Sequence, residues 1–266
     1  MRARSIWLGL VAAAALPSAS QAGTPFAGTW VAEPQKTEFS ARSLELSIEH
    51  GIYKRLSCAV ADEVAADGAV HPLTGDPYFD AMFVRVVDES NVELVQQTKG
   101  RTTWQGHYSV ASDRRSMTLI FTDDRPARTV SGTIQFEREG DPNPGAYSLS
   151  GVWQAKKLLE LAPSGSTLTF QDTEHGLIMN ASDGRSFDIK YGGSNNEPLQ
   201  GYLDGARVHV GRRSPNMLQI NRTQDGALVE FTLGEVSDDG QQMAFGQIDW
   251  PCQSKTTLMY RKQAKP

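Results

Sequence analysis

The chain has 266 residues, 21% of them charged and 39% hydrophobic, with a formal net charge of −5 at pH 7. A mildly acidic chain lacks the basic face that phosphate backbones demand, so nucleic acid is not an expected partner. Past the N-terminal segment no apolar stretch approaches the ~20 residues of a membrane-spanning helix, and no membrane span is expected in the mature chain.

In chain order, the first 22 residues stand apart. Arg2 and Arg4 give a positive start, Ile6 to Leu16 form an apolar run, and Pro17 breaks it before Ser18-Ala19-Ser20-Gln21-Ala22. Positive, apolar and small-residue segments in that order read as a signal peptide over residues 1–22, cleaved after Ala22, for a secreted or periplasmic protein. Eleven helical residues span about 16 Å, half the ~30 Å hydrocarbon core, which argues against an anchor. Cleavage removes two arginines and moves the net charge from −5 to −7.

From Gly28 onward the periodicity is that of strands. Asp80 to Val87, Val92 to Val95, Thr103 to Val110 and Met117 to Phe121 alternate or run apolar between turns such as Asp88-Glu89-Ser90-Asn91 and Ser112-Asp113-Arg114-Arg115. Ala206 to Val210, Met217 to Asn221, Leu228 to Leu233 and Met243 to Ile248 repeat the scheme around Asp225-Gly226 and Asp238-Asp239-Gly240. Such runs indicate antiparallel meanders, and no amphipathic helix of ten or more residues is evident.

The chain matches itself at a lag of about 125 residues, the length of a small domain rather than of a solenoid unit. Gly28-Thr29-Trp30 recurs as Gly151-Val152-Trp153, and Glu49-His50-Gly51 as Glu174-His175-Gly176. Val110, Asp113 and Met117 recur as Val236, Asp239 and Met243; Phe136-Glu137-Arg138 recurs as Tyr260-Arg261-Lys262. Glu139 to Ala146, rich in proline and glycine, separates the copies. The expected organisation is a β domain over 23–139, a linker over 140–148 and a second β domain over 149–266. About eight strands per copy can close into an antiparallel up-and-down barrel, with a β-sandwich as the alternative.

The Gly-x-Trp of each copy resembles the lipocalin-like, or calycin, family of small β-barrels. The resemblance implies that Trp30 and Trp153 lie across closed barrel ends behind Gly28 and Gly151, each under a basic residue of the last strand. Arg138 follows Trp30 by 108 residues, and Arg261 follows Trp153 by the same 108. A cation over an indole contributes about 0.5–2 kcal/mol. The chain also resembles bacterial secreted proteins whose domains open on Gly-Thr-Trp and carry a Thr-Gly-x-Pro turn, here Thr74-Gly75-Asp76-Pro77. The second copy departs from that turn at Gln200-Gly201-Tyr202-Leu203. The function implied by the family is small-molecule binding within a barrel, with no ligand specified.

Chemistry-bearing motifs are sparse. His50, His71, His107, His175 and His209 are too far apart for a local zinc site, and no cofactor or metal is expected. Glu-His-Gly reads as a hairpin turn with Gly51 and Gly176 in the left-handed region. Asp76, Asp80, Asp123 and Asp124 read as turn residues. Catalytic elbows and phosphate loops are absent, so no catalytic residue is assigned and the reading leans away from an enzyme. Cys58 and Cys252 are the two cysteines and are expected to pair in an oxidising compartment. Trp104 and Tyr108 share a strand face and, with Arg85 and His209, are the candidate ligand-binding residues. Three functions follow in order: a small apolar or amphipathic ligand held in a barrel, an envelope protein partner or inhibitor target, and uncharacterised catalysis.

Overall fold

The computed structural model describes residues 24–41, 43–58, 62–143, 145–190 and 196–264. The expected signal peptide lies outside the described residues. The strands are β1 (Gly28–Ala32), β2 (Glu38–Ala41), β3 (Leu44–Glu49), β4 (Ile52–Arg55), β5 (Asp62–Ala65), β6 (Asp67–Pro72) and β7 (Ala81–Val86). There follow β8 (Asn91–Thr98), β9 (Arg101–Val110), β10 (Ser116–Asp123), β11 (Val130–Glu139), β12 (Gly151–Leu161), β13 (Thr167–Thr173) and β14 (Gly176–Ala181). The last are β15 (Ser186–Lys190), β16 (Asn196–Pro198), β17 (Ala206–Ser214), β18 (Met217–Gln224), β19 (Ala227–Val236), β20 (Gln242–Asp249) and β21 (Ser254–Lys262).

These strands form two nearly closed antiparallel barrels, which decides between barrel and sandwich. Barrel one runs β5-β4-β3-β12-β11-β10-β9-β8-β7-β6, and barrel two runs β15-β14-β13-β1-β21-β20-β19-β18-β17-β16, with β2 also paired to β21. Each path holds ten strands rather than about eight. The extra ones include β4, β5, β15 and β16, of three to five residues, too short for alternation to mark them. Elsewhere the two-residue period sets the inner face directly: Leu218, Ile220, Arg222 and Gln224 of β18 are buried in alternation. Each barrel has its own core, around Tyr53, Met82, Met117 and Trp153 in barrel one and Phe26, Trp30, Phe170 and Leu218 in barrel two. Burying apolar side chains of this size stabilises by about 1.5–3 kcal/mol each.

The sheets are out of phase with the sequence repeat by one strand. β1 lies between β13 and β21, in barrel two, whereas β12 lies between β3 and β11, in barrel one. Each copy's opening strand therefore completes the barrel built from the other copy. The proline- and glycine-rich stretch joins β11 to β12 within one sheet. The chain crosses between barrels after β2, which is itself preceded by the 3-10 turn Pro34–Lys36, and after β12, past the 3-10 turn Pro163–Gly165.

The closed ends follow from this exchange. Trp30 and Trp153 are fully buried, and their Nε1 atoms donate to Phe26 O (2.7 Å) and Leu149 O (2.8 Å), four residues back in each case. The covering cations differ from expectation: Arg138, paired by spacing with Trp30, lies instead over Trp153 (4.1 Å to the ring centroid), and Lys262 lies over Trp30 (4.9 Å), so Arg261, paired by spacing with Trp153, covers neither ring. Arg261 points outward to Glu33 at 2.7 Å. The alternation explains it: Arg138 is two residues beyond inward-facing Phe136 and Lys262 two beyond inward-facing Tyr260, so Arg261 falls on the outer face. Gly28 (φ 129) and Gly151 (φ 146) sit where a side chain would collide with the covering cation, 2.8 Å from Lys262 Cε and 1.9 Å from Arg138 Nη1.

The first Glu-His-Gly is a hairpin with His50 (φ 51) and Gly51 (φ 77) both left-handed. Gly176 differs from expectation. It begins β14 outside the left-handed region, and a Cβ there would lie 1.6 Å from Ile189 O, so close backbone approach requires the glycine. Cys58 and Cys252 form a disulfide across 194 residues, tying the β4–β5 connection of barrel one to the β20–β21 turn of barrel two. In the chain-entropy model such a closure stabilises by up to about 5 kcal/mol.

Candidate functional site

The inner faces of the two barrels meet at their open ends. From barrel one, β8 and β9 contribute Leu94, Gln96, Trp104 and Tyr108; from barrel two, β18, β19 and β20 contribute Arg222, Glu230, Gln247 and Asp249. Together with Tyr53 and Arg55 of β4 and the loop residues Asp76, Tyr78, Phe79 and Arg125, they line a first cavity of about 250 Å³. A second, of about 270 Å³, adjoins it at Arg125, Arg222, Glu230 and Gln247 and has largely apolar walls, including Phe121, Leu158, Leu168 and Phe245. A third, of about 240 Å³, extends from Arg55, Asp249 and Cys252 along the barrel-one interior to Trp153.

A belt of charge crosses this junction. Arg55 lies 2.6 Å from Asp62 and 3.6 Å from Asp76, Arg125 lies 2.7 Å from Asp123, and Arg185 lies 2.7 Å from Asp183. Arg222 pairs with Glu230, which also accepts from Gln247 and from Thr232 Oγ1. The guanidiniums stack on rings as well: Arg125 is 5.0 Å from the Tyr78 centroid, and Arg222 is 4.8 Å from that of Tyr202. Burial pushes the Glu230 carboxyl up, but Arg222 and its hydrogen bonds more than offset this and hold it below the usual range. At Asp62 burial prevails over Arg55, and the carboxyl is raised. Asp249 has no ion-pair partner among the described residues, and burial raises its pKa to about 6.

Several polar atoms of the wall are sealed from solvent without a hydrogen-bond partner among the described residues: Tyr53 Oη, Arg55 Nε, Gln96 Nε2, and Arg222 Nε and Nη1. A buried unpaired donor costs about 1–3 kcal/mol. All four side chains belong to the first cavity, so this wall is the least satisfied part of the interior. Among the described residues no group of three or more His, Cys, Asp or Glu side chains is arranged to hold a metal ion.

Of the four residues singled out from sequence, the structure brings Trp104 and Tyr108 together in the first cavity. Arg85 and His209 lie elsewhere. Arg85 is on the outer face of β7, 2.5 Å from Glu93, and His209 is exposed on β17. Asp76 accepts the amide protons of Tyr78 and Phe79, so it is a turn residue that also faces Arg55. The Thr-Gly-x-Pro turn thereby carries Tyr78 to barrel two, where its hydroxyl donates to Val229 O (3.3 Å).

Arg55, Arg125, Arg222, Glu230 and Asp249 escaped the sequence reading, although a signal for three of them was present. In the paired registers Gln96↔Trp104 and Arg222↔Glu230 each directly precede a β-bulge, in equivalent places of the two copies. Likewise Asp123 and Asp249 end equivalent strands. Polar residues at inward positions, matched between copies, mark an interior that is not simply core.

Comparison with known protein families, with curated proteins and with solved structures found no match to this chain. The two nearly closed antiparallel barrels fit a tandem lipocalin-like fold.

Proposed function

We propose that this chain is a secreted binding protein holding one small amphipathic molecule where its two barrels meet. The observation that carries the reading is the run of adjoining cavities: apolar walls reach down barrel one to Trp153, and a charged, aromatic belt stands at the open end. An amphipathic molecule would place its apolar part in the third cavity and its polar part at the belt. Such division between apolar lining and a few placed polar groups is typical of ligand sites. Export is supported by the disulfide, which persists in oxidising compartments. No helix among the described residues is long and apolar enough to cross a membrane.

Native mass spectrometry of the protein purified from its own compartment tests the reading. An added mass that disappears on denaturation, and that an Ala155→Phe substitution in the third cavity removes, is the expected result. A bare native mass for the parent protein would overturn it.

A further inference from the structure

The charge at the junction is unbalanced, and the imbalance bears on the ligand. Four guanidiniums, of Arg55, Arg125, Arg185 and Arg222, face six carboxyl groups, of Asp62, Asp76, Asp123, Asp183, Glu230 and Asp249. Every guanidinium already has a carboxylate beside it, so the arginines offer no uncommitted positive charge to an anion. Arg55 is shared by Asp62 and Asp76, and of the six only Asp249 has no guanidinium in contact with it among the described residues. It lines both the first and the third cavity, at the point where polar lining gives way to apolar, and it keeps some exposed surface there.

A partly buried carboxylate without a contacting counter-charge is costly, and a cation placed beside it reduces that cost. A carboxylate ligand would instead add to the excess of negative charge. The remaining walls suit a cation too: Tyr53, Trp104 and Tyr108 line the same cavity, and aromatic faces attract ammonium groups within about 6 Å. The unpaired donors of Tyr53, Arg55, Gln96 and Arg222, which would favour an anion, are sealed from solvent, whereas Asp249 is not.

We infer that the molecule held here is an organic amine, its ammonium group at Asp249 and its apolar body in barrel one. This inference rests on the binding reading above, and its test separates the two. Isothermal titration of the mature protein at pH 7.5 with octylamine, octanoate and octan-1-ol compares one apolar body carrying three polar groups. Octylamine is expected to bind at least tenfold tighter than either of the others. Asp249→Asn is expected to lose at least tenfold in octylamine affinity while remaining folded, and Asp249→Glu to keep the preference for the amine. Equal or tighter binding of octanoate or octan-1-ol overturns the inference and leaves the binding reading intact. Absence of binding by all three also overturns it, and the binding reading is then decided by the native mass alone. An Asp249→Asn protein that binds octylamine like the parent overturns it as well.

Discussion

At the residue scale, Asp249 couples burial to the pH dependence of stability. Burial raises its carboxyl to about 6; Arg55, Arg125 and Arg222 pull the value down, and Glu230 adds to the rise. The folded state therefore holds this proton more tightly than the unfolded chain, whose aspartates titrate near ~4. Its contribution to stability is complete below pH ~4 and is lost as the pH rises through about 6. A displacement of roughly two pH units corresponds to about 2–3 kcal/mol. Asp249→Asn should therefore be more stable than the parent by about 2–3 kcal/mol at pH 7.5 and by only about 1 kcal/mol at pH 4.5. Urea denaturation at both pH values checks this; a difference that does not change with pH would show that Asp249 titrates normally.

At the level of elements, the opening strand of each copy is specified by contacts on three sides. Gly-x-Trp places a ring across the barrel, the ring's Nε1 binds the carbonyl four residues back, and the last strand's cation covers the face. Arg138 also donates to Ser150 O (2.7 Å) and to Ser148 O (2.5 Å), which fastens the approach to β12. Gly151→Ala strains a φ of 146° and drives a methyl into Arg138 Nη1, displacing the cap. Strain plus overpacking of this kind should cost at least about 2 kcal/mol. The checks are the denaturation midpoint and the near-ultraviolet circular dichroism of Trp153. Arg261→Ala, on the outer face, should change stability by less than about 0.5 kcal/mol.

For the whole molecule, the exchange of β1 and β12 makes the barrels interdependent. Domain swapping of an identical element is known between protomers; here the two copies in one chain supply the two partners. Cleavage within 140–143 cuts the β11–β12 connection, yet leaves β1 in barrel two and β12 in barrel one. The two fragments should therefore elute together in size-exclusion chromatography, even after reduction of Cys58–Cys252. Separation on reduction alone would show that the disulfide, not the interlocked strands, joins them. The same exchange brings the two charged mouths together, so the site belongs to neither copy by itself.

How much of this was legible follows from the range of the interactions involved. The all-β class, the duplication and most strand positions were readable because alternation and turn residues act within a few positions of one another. The pairing of Cys58 with Cys252 was readable because two cysteines admit one intramolecular pairing. That Trp104 and Tyr108 lie together was readable from a shared strand face, which is also local. By contrast, which sheet β1 and β12 would join is decided by long-range pairing between strands of the same pattern, and a repeat makes the alternatives nearly alike. That exchange put Arg138 over Trp153 instead of Trp30, and a register of one residue put Lys262 rather than Arg261 over a ring. The belt of Arg55, Arg125, Arg185 and Arg222 assembles from loops and strands of both barrels. By itself the sequence determined the strands, the repeat and the closed ends' tryptophans, because those depend on neighbours along the chain. Tertiary structure alone decided the exchange and the joined, charged interior, because both depend on which distant faces meet.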